Sequence, residues 1–158
     1  MGKVIILMAS KGDLEHCQKM TKTLKKLEVP YVMRVASAHK VPLKALEIVK
    51  QYGNENVVYI TVAGRSNALS GFVDGNTEKP VIACPPYSEK FGGADLFSSI
   101  RMPSGVCPLF VLEPEEAGLA AAKILALSDA SLKQRVMTYQ EEKRKELGKA
   151  DEEIQKNG

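Results

Sequence analysis

The chain has 158 residues, 44% of them apolar and 26% charged, with 22 lysines and arginines against 19 carboxylates and a net charge of +3. A length near 150 residues suits one domain that buries roughly 70% of the surface its unfolded chain exposes, so a core can form without metal or disulfide. No basic patch is interleaved with aromatics, which argues against a nucleic-acid surface, and the only apolar run near the N-terminus, Val4 to Ala9, is too short for a membrane span or a secretory leader; a soluble, cytoplasmic protein is the expectation.

The run "KVIILMAS" is continuously apolar and stops at a Ser/Gly cluster, the pattern of a parallel strand covered on both faces. Leu14, Cys17, Thr21, Leu24 and Leu27 follow at three and four spacing, an apolar stripe on a lysine-rich helix. Asp13 stands where a carboxylate would cap that helix and suit its dipole. Pro30 closes the unit, and "YVMRVAS" is predicted as a second strand. Pro42 opens a helix whose apolar positions are read as Leu43, Leu46 and Val49 and which ends near Gly53. "NVVYITVAG" is a third strand, followed by a short segment from Asn67 to about Val73. "KPVIACPP" is a fourth strand, residues 94 to 101 a short helix, "VCPLFVL" a fifth strand, and an alanine-rich helix runs from about Pro114 to Leu127.

This alternation predicts an α/β fold, a three-layer sandwich built on a parallel, flavodoxin-like sheet. Residues 1–128 form its body, and residues 129–158, helical but increasingly charged, are a C-terminal extension of the same single domain. The three cysteines, Cys17, Cys84 and Cys107, include no CxxC pair and no clustered histidine, so they read as small buried hydrophobes in a reducing compartment rather than as zinc ligands. A nucleophilic role for Cys84 has no base placed for it in the sequence.

In open α/β sheets ligands bind beyond the carboxyl ends of the strands, near the switch in strand order. The strand-end loops here are "ASKGD", "SAHK", "AGRSNALSG", "CPPYSEKFGG" and the turn near Glu113. The first three carry hydroxyls and free backbone amides leading into helices, which suits a phosphate-bearing ligand. Neither GxGxxG nor GxxxxGK[ST] occurs, which disfavours dinucleotides and P-loop nucleotides. His39 follows a strand at the ligand end and is the candidate general acid–base, worth on the order of 10²–10⁴ in rate. His16, the only other histidine, is placed on the exposed side of the first helix.

The segments "MASKGD", "SAHK", "AGRSNALSG", "PVIACPP" and "GGADLFSSIRMPSG", followed by the alanine-rich helix, resemble in order those of the phosphoribosylaminoimidazole carboxylase (PurE) family of purine biosynthesis, over about residues 3 to 128. One class of that family moves a carboxylate from N5 to C4 of the aminoimidazole and reads SAHR and AGGAAHLPG; here the segments are SAHK and AGRSNALSG, with Ala68 where that class has its second histidine. The resemblance therefore implies the class that carboxylates 5-aminoimidazole ribonucleotide (AIR) directly with CO2 to give the 4-carboxylate (CAIR), with no metal, ATP or biotin. It implies His39 as the proton shuttle, Ser10 and Asp13 at the ribose phosphate end, and Ser37 on the phosphate. Lys40 stands for an arginine that contacts phosphate, and as a lysine, without the arginine's bidentate fork, it faces either phosphate or the new carboxylate or is plain surface. Gly64 lets backbone approach the ring and CO2, and Ser66 hydrogen-bonds there. Arg65 and Asn67 are either ligand contacts or structural loop residues, and Arg101 either pairs with a neighbour or closes the site. The first loop departs from the family, with Ala9 for a glycine and Gly12 for a serine, so phosphate binding is weaker or differently arranged.

The resemblance also implies a homo-oligomer, an octamer or else a tetramer, with sites at subunit contacts, and the alanine-rich helix looks suited to packing against a partner. The rival readings are the mutase acting on the N5-carboxylated ribonucleotide and a non-catalytic sensor of phosphoribosyl ligands.

Overall fold

Val4, Ile5, Ile6 and Leu7 have no exposed surface at all, which is possible only for a strand covered on both faces. In the computed structural model, which describes residues 2–157, they lie in β1 (Lys3–Met8), at the heart of a five-stranded parallel sheet of order β2-β1-β3-β4-β5. The other strands are β2 (Tyr31–Val35), β3 (Val57–Val62), β4 (Val81–Ala83) and β5 (Leu109–Phe110). β1 pairs β3 with Lys3 opposite Val57 through Met8 opposite Val62, and β2 lies on its other side with Val4 opposite Tyr31. All six residues of β3 are buried, whereas the edge strand β2 is only half covered.

Alternate residues of the two central strands enter two separate cores, as the two-residue side-chain period requires. Val4, Ile6, Met8, Val58, Ile60 and Val62 pack with α1 (Leu14–Lys26) and α5 (Pro114–Leu125). Ile5, Leu7, Val57 and Tyr59 face the other way, onto α2 (Pro42–Gln51) and α3 (Ala68–Asp74). Between β4 and β5 the chain makes a 3-10 turn (Lys90–Leu96) and the single-turn α4 (Phe97–Ile100). The predicted α/β sandwich with a flavodoxin-like sheet is the observed architecture.

The buried face of α2 differs in part from the predicted one. Leu43 is 81% exposed and Leu46 half-buried; Val49 is buried as predicted, together with Ala45 and Ile48. Leu43 lies in the first turn, and the inward face of the helix begins at the smaller Ala45. The fifth strand is also shorter than "VCPLFVL" suggests: two residues pair with Ile82 and Ala83, and both are exposed. Pro103 and Pro108 cannot donate to a ladder, so pairing begins only at Leu109.

Small residues of α5 pack inside the chain. Ala117, Ala121 and Ala122 have no exposed surface and pack on α1 with Cys17, Met20 and Leu24. At Gly118 the two helices are in close contact: a Cβ there would lie 2.8 Å from the backbone oxygen of Met20.

The C-terminal extension is α6 (Ala130–Asn157), 28 residues and thus about 42 Å long. Asp129 caps it, its Oδ1 accepting the Leu132 amide at 2.9 Å. Leu132 and Val136 enter the α1/α5 core, and Arg135 donates from Nε to the carbonyl of Leu27, the residue that ends α1, at 2.8 Å. From Glu141 onward every described residue of α6 is exposed.

Gly118→Ala places a methyl carbon against backbone that has no slack, and overpacking of this kind costs about 1–3 kcal/mol. Urea unfolding of the variant is expected to show a lower midpoint with an unchanged slope.

Candidate active site

The connection after β1 crosses to the α1 face and the connection after β3 to the α3 face, so the chain parts between these neighbouring strands. This is the switch point where a crevice opens at the carboxyl ends. A cleft of about 710 Å³ lies there, walled by the loops that follow β1, β2, β3 and β4. Ser10, Asp13, Ser37, His39, Lys40, Gly64 and Ser66, selected from the sequence, all line it.

The loop after β1 is closed on itself. Asp13 Oδ2 accepts from the Ser10 amide at 3.0 Å and from the Ser10 hydroxyl at 3.1 Å. The carboxylate predicted to cap α1 thus turns back instead, and makes no side-chain cap hydrogen bond to that helix. The loop after β2 is a tight turn: the Val41 amide donates to the Ser37 carbonyl at 2.9 Å and the Lys40 amide to the Ser37 hydroxyl at 3.3 Å. Pro42 at the start of α2 ends this turn. The turn leaves His39 and Lys40 exposed at the rim of the cleft.

The loop after β3 is anchored from below by a buried polar network. Asn67 is 4% exposed; its Nδ2 donates to the hydroxyls of Ser70 at 2.6 Å and Ser99 at 2.9 Å, and its Oδ1 accepts the Ser70 amide at 3.2 Å. Thr61 of β3 donates to the Ser70 hydroxyl at 3.0 Å. Of the two readings left open for Asn67, the structural one describes its contacts: it caps α3 and ties it to α4. Arg65 has φ 62°, in the left-handed region that costs an L residue about 1–2 kcal/mol. Arg65 lines the cleft, and its amide donates to Asp95 Oδ2 at 3.2 Å. Gly64 packs so closely on Pro86 that a Cβ would lie 3.3 Å from its ring, so the missing side chain serves the fit of two loops as well as access to the cleft.

Pro86, Tyr87, Ser88, Lys90 and Asp95, from the connection after β4, complete the lining. No residue of this connection was selected from the sequence, although the strand-end rule had marked the loop 84–93. The signal that could have found Asp95 is its place in the "GGADLFSSIRMPSG" segment. Arg101 is exposed at the end of α4 and does not line the cleft.

His16 is not on an exposed side of α1. It is half-buried, with Nε2 3.5 Å from the Cys84 sulfur. A base is therefore placed beside Cys84, contrary to the expectation from sequence. Burial nevertheless pushes the Cys84 thiol up to about 12, so it holds its proton at neutral pH and offers no thiolate nucleophile. Cys17 is likewise buried and its thiol is pushed up to about 12, chiefly by burial, whereas Cys107 is exposed rather than buried.

Residues 3–146 match the family described as AIR carboxylase. The chain belongs to the AIR carboxylase family. It is 61% identical over 152 residues to a phosphoribosylaminoimidazole carboxylase of Archaeoglobus fulgidus, covering 96% of this chain and 84% of that one. It is 44% identical over 155 residues to a phosphoribosylaminoimidazole carboxylase of Treponema denticola, covering 97% and 98%. The crystal structure of Treponema denticola PurE superposes with a TM-score of 0.95 at 44% identity, over 98% of this chain and 99% of that chain. Within the AIR carboxylase family fold, the cleft lies at the switch point and is lined by four strand-end loops.

Two outcomes are expected from the buried groups. Asn67→Ala strips partners from the Ser70 amide and two buried hydroxyls, which is expected to cost about 1–3 kcal/mol in chemical denaturation. Burial, opposed by the contact with Cys84, holds the His16 imidazole below its ordinary value. The unfolded chain therefore binds the extra proton first as pH falls, and unfolding free energy decreases below about pH 6.5, while above that value the contribution is intact. Urea titrations on either side of this pH are expected to differ less in His16→Asn than in the parent.

Proposed function

We propose that this AIR carboxylase family enzyme of purine biosynthesis carboxylates C4 of 5-aminoimidazole ribonucleotide with CO2, reversibly, and that His39 relays the C4 proton. The observation that carries the reading is the convergence of four strand-end loops on one cleft at the switch point, with an imidazole at its rim and hydroxyls and amides along its walls.

The chemistry sets the requirements. The 5-amino group pushes electron density through the ring so that C4 is nucleophilic, and its electron pair forms the bond to the carbon of CO2. One C=O pair moves onto oxygen as the carboxylate forms, and C4 becomes tetrahedral, still carrying its hydrogen. A base removes that hydrogen, the C–H pair returns to the ring, and aromaticity is restored. The scheme balances as AIR plus CO2 giving CAIR plus a proton, and runs backward when the base returns the proton. Among the described residues lining the cleft His39 is the only imidazole, and imidazole exchanges protons near neutral pH.

The remaining roles are proposals of the same kind. Ser10 and Asp13, tied together in the first loop, take the ribose phosphate end, with Asp13 accepting from ribose hydroxyls. Ser37 donates to phosphate. Lys40 supplies a positive charge to phosphate or to the nascent carboxylate, where an ammonium acts as a point charge rather than a fork. Gly64 and Ser66 face the ring and CO2. Ala68 lines the cleft and brings no imidazole where the mutase class has one, which supports direct use of CO2. We further propose a cytoplasmic homo-oligomer, an octamer or tetramer; exposed Phe97 (69%) and Ile100 (52%) beside the cleft-forming segment support burial against another copy. No described helix is long and apolar enough to cross a membrane.

The deciding assay supplies AIR with and without bicarbonate in the absence of ATP. CAIR formation is expected to rise with bicarbonate; turnover of the N5-carboxylated ribonucleotide alone would overturn the reading in favour of the mutase. His39→Asn is expected to lower turnover by on the order of 10²–10⁴ while calorimetry shows ligand affinity nearly kept. Binding without turnover by the parent at any CO2 level would point to a sensor.

A further inference from the structure

The loop after β3 is held by side chains that come from a single short segment some thirty residues later. Asp95 Oδ2 accepts the Arg65 amide at 3.2 Å. The Ser98 hydroxyl lies 3.1 Å from the Arg65 carbonyl and accepts the Asn67 amide at 3.0 Å. Between these anchors Arg65 has φ 62°, a conformation in which its Cβ crowds the backbone and which such a residue keeps only when its surroundings impose it. The other carboxylate oxygen, Asp95 Oδ1, is buried without a hydrogen-bond partner. A buried acceptor left without a donor weakens a fold, so stability alone gives no reason for a carboxylate here. Asp95 lines the cleft, but Oδ1 is buried and Oδ2 is already engaged by the amide, so the contact its carboxylate makes is with the backbone of Arg65.

We propose that Asp95 is a positioning residue of the cleft: it holds Arg65 in the left-handed conformation and thereby sets the path of Gly64, Arg65 and Ser66 along the wall that they form. It touches no reacting atom. The consequence for turnover rests on reading this cleft as the site where the ring meets CO2; the conformational claim does not.

The test is a double-variant cycle with a structural readout. Asp95→Ala removes the acceptor and is expected to lower kcat/KM by on the order of 10²-fold, the size of effect an ångström of misplacement produces. Asp95→Asn keeps an oxygen for the amide while losing the charge, and most of that loss is expected to be recovered. In an Arg65→Gly background, where the left-handed conformation carries no Cβ penalty, adding Asp95→Ala is expected to cost much less than it does in the parent. A crystal structure of Asp95→Ala is expected to show Arg65 out of the positive-φ region. Equal losses for the alanine and asparagine variants, equal losses in both backgrounds, or an unchanged Arg65 φ in Asp95→Ala would each overturn the proposal. If Asp95→Ala alone is too unstable to purify, restoration of folding by added Arg65→Gly supports it, and failure to restore overturns it. Absence of bicarbonate-dependent turnover in the parent would defeat the carboxylase reading instead, and the φ of residue 65 would still decide the role of Asp95.

Discussion

Everything in this molecule depends on β1 and β3 lying side by side, parallel, and sealed on both faces. Their apolar side chains divide between two cores, and each large one contributes about 1.5–3 kcal/mol on burial. The ion pairs lie at the surface, where a pair is worth about 0–1 kcal/mol, and cannot compete with that. Because the two strands send their connections to opposite faces, sealing the sheet and opening the cleft are the same event. The site needs no device of its own to exist; it is the gap left where the layers part.

What makes the gap a chemical site is the contrast between its foundation and its rim. Beneath it, Thr61, Asn67, Ser70 and Ser99 saturate one another in a buried network where a missing partner would be costly. Above it, His39, Lys40 and Ser66 are exposed and lie on loops whose backbones are pinned by hydrogen bonds, within the turn for His39 and Lys40 and from Asp95 and Ser98 for the loop of Ser66. Rigid backbone with accessible side chains is the combination that catalysis by positioning requires.

Much of this was legible in the residues. The unbroken run through Val4 to Met8 announces a two-faced strand, and His39 is placed at the ligand end by the order of elements alone. The face of α2 was legible only in part: Val49 is buried as read, but Leu43 and Leu46 satisfy helical spacing as well as Ala45 and Ile48 do, and local sequence does not choose between them. The partners that come from far along the chain were also invisible. His16 meets Cys84 across 68 positions, and Asp95 meets Arg65 across 30. No periodicity or motif encodes such pairs; they exist only once two loops have been brought together. The Asp13 carboxylate shows the subtler limit, since a helix-capping position and a turn closed on Ser10 share one local sequence.

The distribution of sulfur has a practical corollary. Cys17 and Cys84 are shut inside the α1/α5 layer with their thiols held protonated, whereas Cys107 stands at the surface, its amide held by Asp74 at 2.7 Å. Alkylating reagents that consume thiolate therefore meet one sulfur per chain in the native protein. A fluorophore or spin label can be attached at that single position without first deleting the others.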